Sequence, residues 1–434
     1  MKSKMTRLLE AVTIVVIAGG LPGGSALSAD DLSQSSLNSL LPPQTLPQGF
    51  ESTGDLLRDQ QEASNAPLYS AWLVESSRFV DVPSGSFMPD RAFIPGSTDP
   101  KHNIALFDFP ANVGIIKGRD GKITLYDSGW KQLAYIYDWN TSCCWWDLPD
   151  QMKNIGLNPD DVVRIVIGHG HWDHAGQLDS FPNAVLYVQI EELKQIEFFT
   201  EYPVDFNGGH IRAVNTVDPI TGNQVGPPAQ ACARTPVCGY PPQTLAEIEG
   251  KVLAGKAQIV NGRYRIAPGL IIHPAFRGHT YGSQLLQVNT QRGQLVFGSD
   301  AYSSWEGIRD WNVANIQQTD TIQQFLAYEK CYVLTSNAPN SASFNNCLAA
   351  HERLSYSDDY PITSNWWTIT DGNCSRAAEL TLANGEPTHV PPDVTTGTTR
   401  ITVPSLGGAF GPWRIDSFVC RETISMVPPH TVSP

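Results

Sequence analysis

The feature that most constrains this chain is a group of histidines at the end of an apolar strand pattern. Residues 162–167 form an apolar run rich in β-branched side chains, which predicts a buried strand. The run leads into Gly168-His169-Gly170-His171-Trp172-Asp173-His174-Ala175-Gly176. Three imidazoles and a carboxylate thus fall within six positions at the carboxyl end of a strand, where an α/β fold is expected to have an open site.

These side chains have the chemistry of metal ligands. Imidazole nitrogen and carboxylate oxygen bind zinc, and also iron or manganese. Because side chains alternate along a strand, His169 and His171 are expected to share a face. Asp173 and His174 follow a turn and can point at a second ion. The alternative, a polar turn with unrelated histidines, is weak because the whole chain holds only ten histidines.

Strand and helix patterns alternate around this cluster. Strands are predicted at residues 104–109, 113–117, 122–126 and 184–189, and helices at 148–155 and 191–199. Later strands are predicted at 266–272, 284–289 and 294–298, with a helix at 319–330. The alternation favours a layered α/β architecture. Residues 203–255, rich in glycine, proline and asparagine, interrupt it and are interpreted as an insertion or lid.

The two ends of the chain differ from this middle part. Residues 1–29 have the basic start, apolar stretch and small residues of a secretory signal peptide, and the apolar stretch is too short for a membrane anchor. Residues 30–99 are predicted to be an arm with strands, irregular up to residue 66, and residues 362–434 a β-rich appendage. We therefore expect a soluble protein that is secreted or periplasmic after cleavage.

Charge and cysteine content narrow the classes of partner and compartment. The chain has 43 acidic and 29 basic side chains, a net charge of −14, so its surface should repel nucleic acid. Its eight cysteines are an even number, which favours disulfide bonds in an exported chain. Position alone suggests the pairs Cys232 with Cys238 and Cys374 with Cys420, although other pairings stay open.

The histidine cluster resembles the His-x-His-x-Asp-His signature of the metallo-β-lactamase superfamily. Three more segments resemble superfamily markers in their usual order: Leu125-Tyr126-Asp127-Ser128-Gly129, Arg277-Gly278-His279-Thr280 and Phe297-Gly298-Ser299-Asp300-Ala301. The resemblance covers residues 100–361. It implies the αβ/βα four-layer sandwich of that superfamily, here with an inserted lid region and a β-rich C-terminal appendage.

The resemblance also implies seven metal ligands in two groups that share one carboxylate. The groups are His169, His171 and His279 with Asp300 for one ion, and Asp173, His174 and His351 with Asp300 for the other. Two divalent ions are expected, with zinc favoured and manganese, iron or cobalt as alternatives. His351 lacks the glycine that usually precedes this ligand, so His273 and His210 are competing candidates.

Within the superfamily, the chain most resembles the N-acyl homoserine lactone lactonases, on the segments Asp173-His174-Ala175-Gly176, Phe181-Pro182-Asn183-Ala184 and Leu354-Ser355-Tyr356. It departs from them after the bridging aspartate, where Ser303 stands at the position of their substrate-contacting tyrosine and Tyr302 precedes it. Trp145 and Trp146 either form a lip for an apolar substrate or pack inside the protein.

The resemblance therefore implies a metal-dependent hydrolase that opens a small-molecule lactone or related carboxylic ester by attack of a metal-bridging hydroxide. Asp173 would shuttle the proton and Tyr302 would help to hold the oxyanion. The alternatives are another hydrolase of this fold, such as a β-lactamase, phosphotriesterase or thioesterase, and a metal-binding protein without catalysis. No cofactor besides metal is expected, and the oligomeric state stays open.

Overall fold

A computed structural model describes residues 52–83, 94–99, 102, 106–130, 142–201, 239–240, 242–302, 304–313, 320–336, 346–356, 365–369 and 375–387. The helices in these ranges are α1 Thr53–Ser64, α2 Leu148–Asn154, α3 Trp172–Ala175, α4 Ile190–Glu201, α5 Pro242–Leu253, α6 Trp305–Arg309 and α7 Thr321–Thr335. Short 3-10 helices lie at Pro159–Asp161, Leu178–Ser180 and Arg353–Tyr356.

The strands of the described ranges form two sheets. They are β1 Ser70–Pro83, β2 Leu106–Lys117, β3 Ile123–Tyr126, β4 Ser142–Trp145, β5 Val162–Val166, β6 Val185–Gln189, β7 Ala257–Val260, β8 Tyr264–Ala267, β9 Leu270–Pro274, β10 Gln284–Thr290, β11 Gly293–Ser299, β12 Cys347–Ala349, β13 Asn365–Ile369 and β14 Ser375–Thr381. The large sheet has the order β13-β14-β1-β2-β3-β5-β6-β7, with β4 paired to β1, and the small sheet the order β12-β11-β10-β9-β8.

Three apolar layers hold these elements together. One lies between the large sheet and helices α2, α4 and α5, and includes Met152, Ile196 and Ile248. The second lies between the sheets, where Val166 and Leu286 are fully buried. The third joins the small sheet to α1, α6 and α7. Helix, sheet, sheet and helix follow one another, so the four-layer α/β sandwich expected from the sequence is confirmed.

The hairpin of β2 and β3 shows how the local sequence shapes the sheet. The Gly118 N–H donates to the Lys122 carbonyl at 3.0 Å, and Gly121 adopts a φ of 79° that favours glycine. Residues 118–121 therefore form the turn between the two strands. The two strands predicted at 104–109 and 113–117 are one strand, β2, that runs through Pro110. Pro110 is tolerated because β3 pairs with β2 only from Gly114 onward.

The prediction of an irregular arm over residues 30–66 is wrong for its last part. Residues 53–64 form α1, whose N-terminus is capped by Ser52 because its side chain accepts a hydrogen bond from the Asp55 N–H at 3.2 Å. Leu56 is buried in the layer beneath the small sheet. Packing against α7 therefore selects a helix that the weak sequence pattern does not indicate.

The C-terminal strands and the inserted region are only partly described. Strands β13 and β14 join the large sheet beside β1, which confirms a β-rich region after residue 361. Residues 388–434 of the predicted appendage lie outside the described residues. Residues 242–253 of the predicted insertion form helix α5, which packs on the large sheet, while residues 202–238 lie outside the described part. The lid assignment for those residues stays a prediction.

One cysteine pair lies in the third apolar layer. Cys331 of α7 and Cys347 of β12 have Cα atoms 6.1 Å apart, a separation that suits a disulfide. The predicted pairs involve residues 232, 238, 374 and 420, which lie outside the described ranges. The longest described helix, α7, has 15 residues, and no helix in the described ranges has the length and apolar character that a membrane crossing needs.

Candidate metal centre

The seven predicted ligand residues lie together at one end of the sandwich. Two groups have ligand atoms within 4.8 Å of one another: His169, His171, His279 and Asp300, and Asp173, His174, Asp300 and His351. We call His169, His171 and His279 the three-histidine half, and Asp173, His174 and His351 the mixed half. Their roles as ligands remain predictions, but the structure brings all of them to one place.

Strand order explains why distant residues meet here. The histidine-rich segment follows β5 and ends in the short helix α3, whose first residue comes after His171. Asp300 and His351 follow β11 and β12, which are parallel neighbours with Phe297 opposite Leu348. Because parallel strands end at the same edge of a sheet, these two side chains come together. The competing candidate His273 lies on β9, where its Nε2 is 2.9 Å from Gln287 Oε1.

The Asp300 carboxylate lies between the two halves. Its Oδ2 is 3.2 Å from His279 Nε2 and 3.9 Å from His169 Nε2. Its Oδ1 is 3.1 Å from His351 Nε2 and 3.4 Å from His174 Nε2. Each oxygen thus faces a different group of imidazoles, which is the placement that a bridging carboxylate needs.

The second carboxylate, Asp173, belongs to the mixed half. Its Oδ2 lies 3.2 Å from His174 Nε2 and 3.3 Å from His351 Nε2. The side chains of Asp173 and Asp300 are 10% and 12% exposed, whereas those of His174 and His351 are 1% exposed. The two carboxylates therefore lie on the open side of the cluster, where a small molecule would approach.

Hydrogen bonds on the outer ring nitrogens orient the imidazoles of the mixed half. His174 Nδ1 lies 3.0 Å from Asp127 Oδ2, and His351 Nδ1 lies 2.8 Å from the Pro110 carbonyl. The Ser299 hydroxyl contacts His174 Nδ1 at 3.0 Å and His169 Nδ1 at 3.2 Å. These contacts leave each Nε2 directed into the cluster, as in protein metal sites whose ligands are held from behind.

Asp127 connects this support to the backbone of the ligand segment. Its Oδ1 accepts a hydrogen bond from the Gly168 N–H at 2.6 Å. Asp127 itself has a φ of 64°, a left-handed conformation that costs free energy for a residue other than glycine. Asp127 thus has a strained backbone, and its carboxylate holds both His174 and the start of the histidine-rich segment.

The histidines of the two halves differ in the direction in which their pKa values are shifted. Burial lowers the pKa of His169, His171 and His279, that of His171 to about 3. Burial also acts on His174 and His351, but the carboxylates of Asp173 and Asp300 outweigh it there and raise both pKa values, that of His351 to about 9.

The residues fit a metal ion. Three buried atoms that face the cluster have no hydrogen-bond partner among the described residues: His169 Nε2, His174 Nε2 and Asp300 Oδ1. A buried polar atom without a partner costs free energy, and a cation between these atoms would compensate each of them. Imidazole nitrogen and carboxylate oxygen are also the donors that zinc and related divalent ions take.

Tyr302 is not placed at this cluster. Val296 of β11 belongs to the apolar layer under the helices, and Phe297 to the layer between the sheets. A Cβ atom on Gly298 would overlap the Tyr302 ring, which also packs 6.0 Å from Tyr328. Tyr302 therefore lies on the face of β11 opposite Ser299. The structure therefore does not place Tyr302 where its predicted catalytic role would need it, because its ring packs in the apolar layer under the helices.

The described aromatic residues near the mixed half pack behind the ligands. Trp172 lies 4.9 Å from Trp130 and 5.8 Å from Phe79, and Phe79 lies 5.4 Å from the His351 ring. Trp146 is 6% exposed and lies under the Arg78 guanidinium. For Trp146, internal packing is thus favoured over a lip, while Trp145 is half-buried and keeps both roles open.

The sequence analysis gave no site role to three residues that contact the ligands or the segments that carry them: Ser299, Glu192 and Tyr240. Ser299 stands next to the bridging aspartate, and strand alternation could have placed it toward the histidines. Glu192 stands among ordinary acidic residues in the first turn of a helix, and Tyr240 belongs to the inserted region. Local sequence has no signal for the positions of Glu192 and Tyr240, which depend on long-range packing.

Comparison with known proteins agrees with this geometry. The family profile described as the metallo-beta-lactamase superfamily matches residues 106–319. The chain contains a metallo-beta-lactamase superfamily domain. That domain includes six of the seven clustered residues, and His351 follows it.

Two curated relatives share parts of the domain. N-acyl homoserine lactonase AiiB of Agrobacterium fabrum is 31% identical over 101 residues, which are 20% of this chain and 35% of that protein. The N-acyl homoserine lactonase of Bacillus cereus is 27% identical over 134 residues, 28% of this chain and 52% of that protein. The chain thus matches between about a third and about half of the length of these relatives.

Two solved structures with low sequence identity are also similar to parts of this chain. A quorum-quenching N-acyl homoserine lactone lactonase is 16% identical, with a TM-score of 0.43 and coverage of 66% of this chain and 93% of that one. AidC, described as a dizinc quorum-quenching lactonase, is 16% identical, with a TM-score of 0.43 and coverage of 67% and 89%.

Proposed function

We propose that this chain is a dinuclear metal-dependent hydrolase that opens a small-molecule lactone or a related carboxylic ester. The observation that carries the proposal is the position of Asp300, whose two oxygens lie 3.1 Å from His351 Nε2 and 3.2 Å from His279 Nε2. One carboxylate thus serves two groups of nitrogen ligands. The names of the curated relatives support an acyl homoserine lactone as the substrate class.

Zinc is the ion that we propose for both positions, with manganese, iron or cobalt as alternatives. Five imidazoles and two carboxylates are more ligands than one tetrahedral ion can use. When bound, two divalent ions would lower the pKa of a water molecule toward neutrality and polarise the carbonyl oxygen of the substrate.

The chain's own residues would then handle the proton. Asp173 lies on the open side of the cluster, with its Oδ2 3.2 Å from His174 Nε2 and 3.3 Å from His351 Nε2. As water adds to the carbonyl carbon, Asp173 would take one of its protons and pass it to the ring oxygen when the carbon–oxygen bond breaks. Lactone and water give a hydroxy acid, so no further reactant is needed.

A hydrolysis screen with metal-loaded protein tests this function. The proposal predicts that an acyl homoserine lactone or a similar lactone is opened, with one proton released per ring near neutral pH. Asp160→Asn is a suitable control variant, because Asp160 is exposed at the amino end of β5, away from the cluster. Rapid turnover of a β-lactam, phosphotriester or thioester with inert lactones would transfer the assignment to another hydrolase of this fold. Retained metal without any turnover would favour a binding protein.

We also propose that the protein is exported. The order of basic, apolar and small residues over positions 1–29 supports a cleaved signal peptide, and the Cys331–Cys347 pair suits an oxidising compartment. Mass spectrometry of the unreduced protein purified from its natural host should find a chain that begins between Leu27 and Asp30 and carries few free thiols. An intact N-terminus with mostly free thiols would contradict export.

A further inference from the structure

Behind the three-histidine half lies one buried carboxylate with four hydrogen-bond donors. Glu192, in the first turn of α4, is fully buried. Its Oε1 accepts from the Gly170 N–H at 2.6 Å and from the Tyr240 hydroxyl at 2.5 Å. Its Oε2 accepts from the Thr280 hydroxyl at 2.8 Å and from the Gly282 N–H at 3.0 Å. Hydrogen bonds to a charged acceptor in a buried place are strong and geometrically selective.

The donors connect two ligand segments that are far apart in sequence. Gly170 stands between His169 and His171, and Thr280 directly follows His279. A Cβ atom on Gly282 would overlap the backbone of Glu192, so the turn after His279 approaches α4 as closely as a glycine permits. Glu192 thus fixes the distance between the two segments that carry the three-histidine half.

The remaining donor, Tyr240, comes from within the predicted inserted region. The Tyr240 ring packs edge-on to the His171 ring, with centroids 4.7 Å apart and planes at 74°. A Cβ atom on Gly239 would overlap the same imidazole. Residues 239 and 240 therefore touch a predicted metal ligand with their backbone and ring, and reach its supporting carboxylate with the tyrosine hydroxyl.

We infer that Glu192 and Tyr240 are positioning residues that set the metal affinity of the three-histidine half, so that this affinity depends on the inserted region. The inference rests on the proposed dinuclear centre. Without the Tyr240 hydroxyl, Glu192 loses one of four donors, and the angle between His171 and its neighbours is less restricted. Supporting groups of this kind change metal affinity by about 10-fold to 100-fold when they are removed.

Zinc titration of metal-free protein against a competing chromophoric chelator tests the inference without any substrate. Tyr240→Phe should weaken one of the two binding steps by about 10-fold to 100-fold and leave the other unchanged. Tyr328→Phe is the matched control, since it also removes a buried hydroxyl, which here donates to the Asn312 carbonyl at 3.0 Å. The control should bind both ions like the original protein.

Further substitutions at His351 and Thr280 identify which half is affected and test whether the hydrogen bond to Glu192 is the cause. With His351→Ala, only the three-histidine half should hold zinc well, and adding Tyr240→Phe should weaken this remaining step. Thr280→Val removes another donor to Glu192 and should act like Tyr240→Phe, whereas Thr280→Ser keeps the hydroxyl and should restore affinity. Thermal unfolding of each metal-free variant checks the fold.

The outcomes separate this inference from the proposed function. If the original protein binds two zinc ions and both Tyr240→Phe and Thr280→Val bind them with unchanged affinity, the positioning role is wrong and the dinuclear centre stands. Loss confined to the mixed half would also overturn the inference. If the original protein binds fewer than two ions, the proposed function and the inference both fail.

Discussion

The three-histidine half and the mixed half of the metal centre are built from different chemistry. Burial lowers the pKa of His169, His171 and His279, so these rings are neutral and ready for a cation near pH 7. In the mixed half, burial is outweighed by Asp173 and Asp300, which raise the pKa of His174 and that of His351. In the mixed half, the two carboxylates thus reverse the effect that burial alone has on the histidines of the three-histidine half.

The halves also differ in what holds them. Glu192 of α4 supports the three-histidine half through hydrogen bonds from Gly170, Thr280 and Tyr240. The mixed half depends on Asp127 and on a network that reaches β14. There Asn112 donates its N–H to the Ala350 carbonyl at 2.8 Å and accepts from the Tyr356 hydroxyl at 2.6 Å. Arg376 of β14 lies 4.7 Å from the centroid of the Tyr356 ring, so a strand that the sequence placed in an appendage borders the support of His351.

The largest effect within the mixed half is expected for its carboxylate. Asp173→Asn keeps the size of the side chain but removes its charge, so kcat for lactone opening should fall by about 100-fold or more. Steady-state kinetics and metal content should be measured on the same sample. A normal kcat with two bound ions would contradict a proton-transfer role for Asp173. The mixed half would then differ from the three-histidine half in its ligands but not in a role in catalysis.

The buried ion pairs of Glu75 with Arg78 and Arg376, which join β1 to β14, predict that the fold loses stability in acid. Burial raises the pKa of Glu75, but Arg376 and Arg78, each with an atom 2.7 Å or less from it, outweigh burial and lower that pKa to about 2 from 4.5. A lowered pKa in the folded state stabilises the fold above the ordinary value, and this stabilisation disappears as the pH falls from about 4.5 through about 2.

The contribution of Glu75 to the free energy of unfolding is at most about 3.5 kcal/mol, from about 1.4 kcal/mol per pKa unit. Urea unfolding at several pH values should show this loss in the original protein and a smaller acid dependence in Glu75→Gln. Glu386→Gln is the control, since its pair with Lys117 is partly exposed and contributes less than about 1 kcal/mol. Equal acid dependence in all three proteins would contradict the role of the buried network.

A zinc titration of an Asp127 variant tests the support of the mixed half, as the Tyr240 variant tests that of the three-histidine half. Asp127→Asn presents an amide to His174 Nδ1 in place of a carboxylate oxygen at 3.0 Å. Zinc affinity of the mixed half should fall by about 10-fold to 100-fold, while the three-histidine half keeps its affinity. Asp160→Asn should change neither. If Asp127→Asn weakens both steps equally, the two supports are not independent.

The smallest effect is expected for Tyr302→Phe. The Tyr302 hydroxyl has no hydrogen-bond partner among the described residues, and the ring lies on the far face of β11. Its removal should change kcat/KM by less than about 2-fold. A large fall in kcat with unchanged stability would restore the oxyanion role that the sequence suggested.

The sequence predicted the ligand segments better than their supports. The residues from His169 to His174 are contiguous, so their pattern is readable without tertiary structure. His351 was the weakest prediction because its flanking residues depart from the usual pattern, yet the parallel register of β11 and β12 puts it beside Asp300.

The supports could not be predicted in the same way. Glu192 acts through Gly170, Thr280 and Tyr240, which come from separate segments of the chain. Helix α1 and strand β14 likewise gain their place from packing against distant elements. Tyr302 lies in the apolar layer under the helices, and this position depends on packing around the turn after β11 and not on a local sequence pattern.

Metal analysis tests the central claim most directly. Protein reconstituted with excess zinc and freed of unbound ion should contain two equivalents, because the Asp300 oxygens serve both halves. Asp300→Ala should retain less than one equivalent, while His273→Ala, altered at a buried histidine outside the cluster, should retain two. One equivalent or fewer in the original protein, or equal retention by the two variants, would contradict the dinuclear centre.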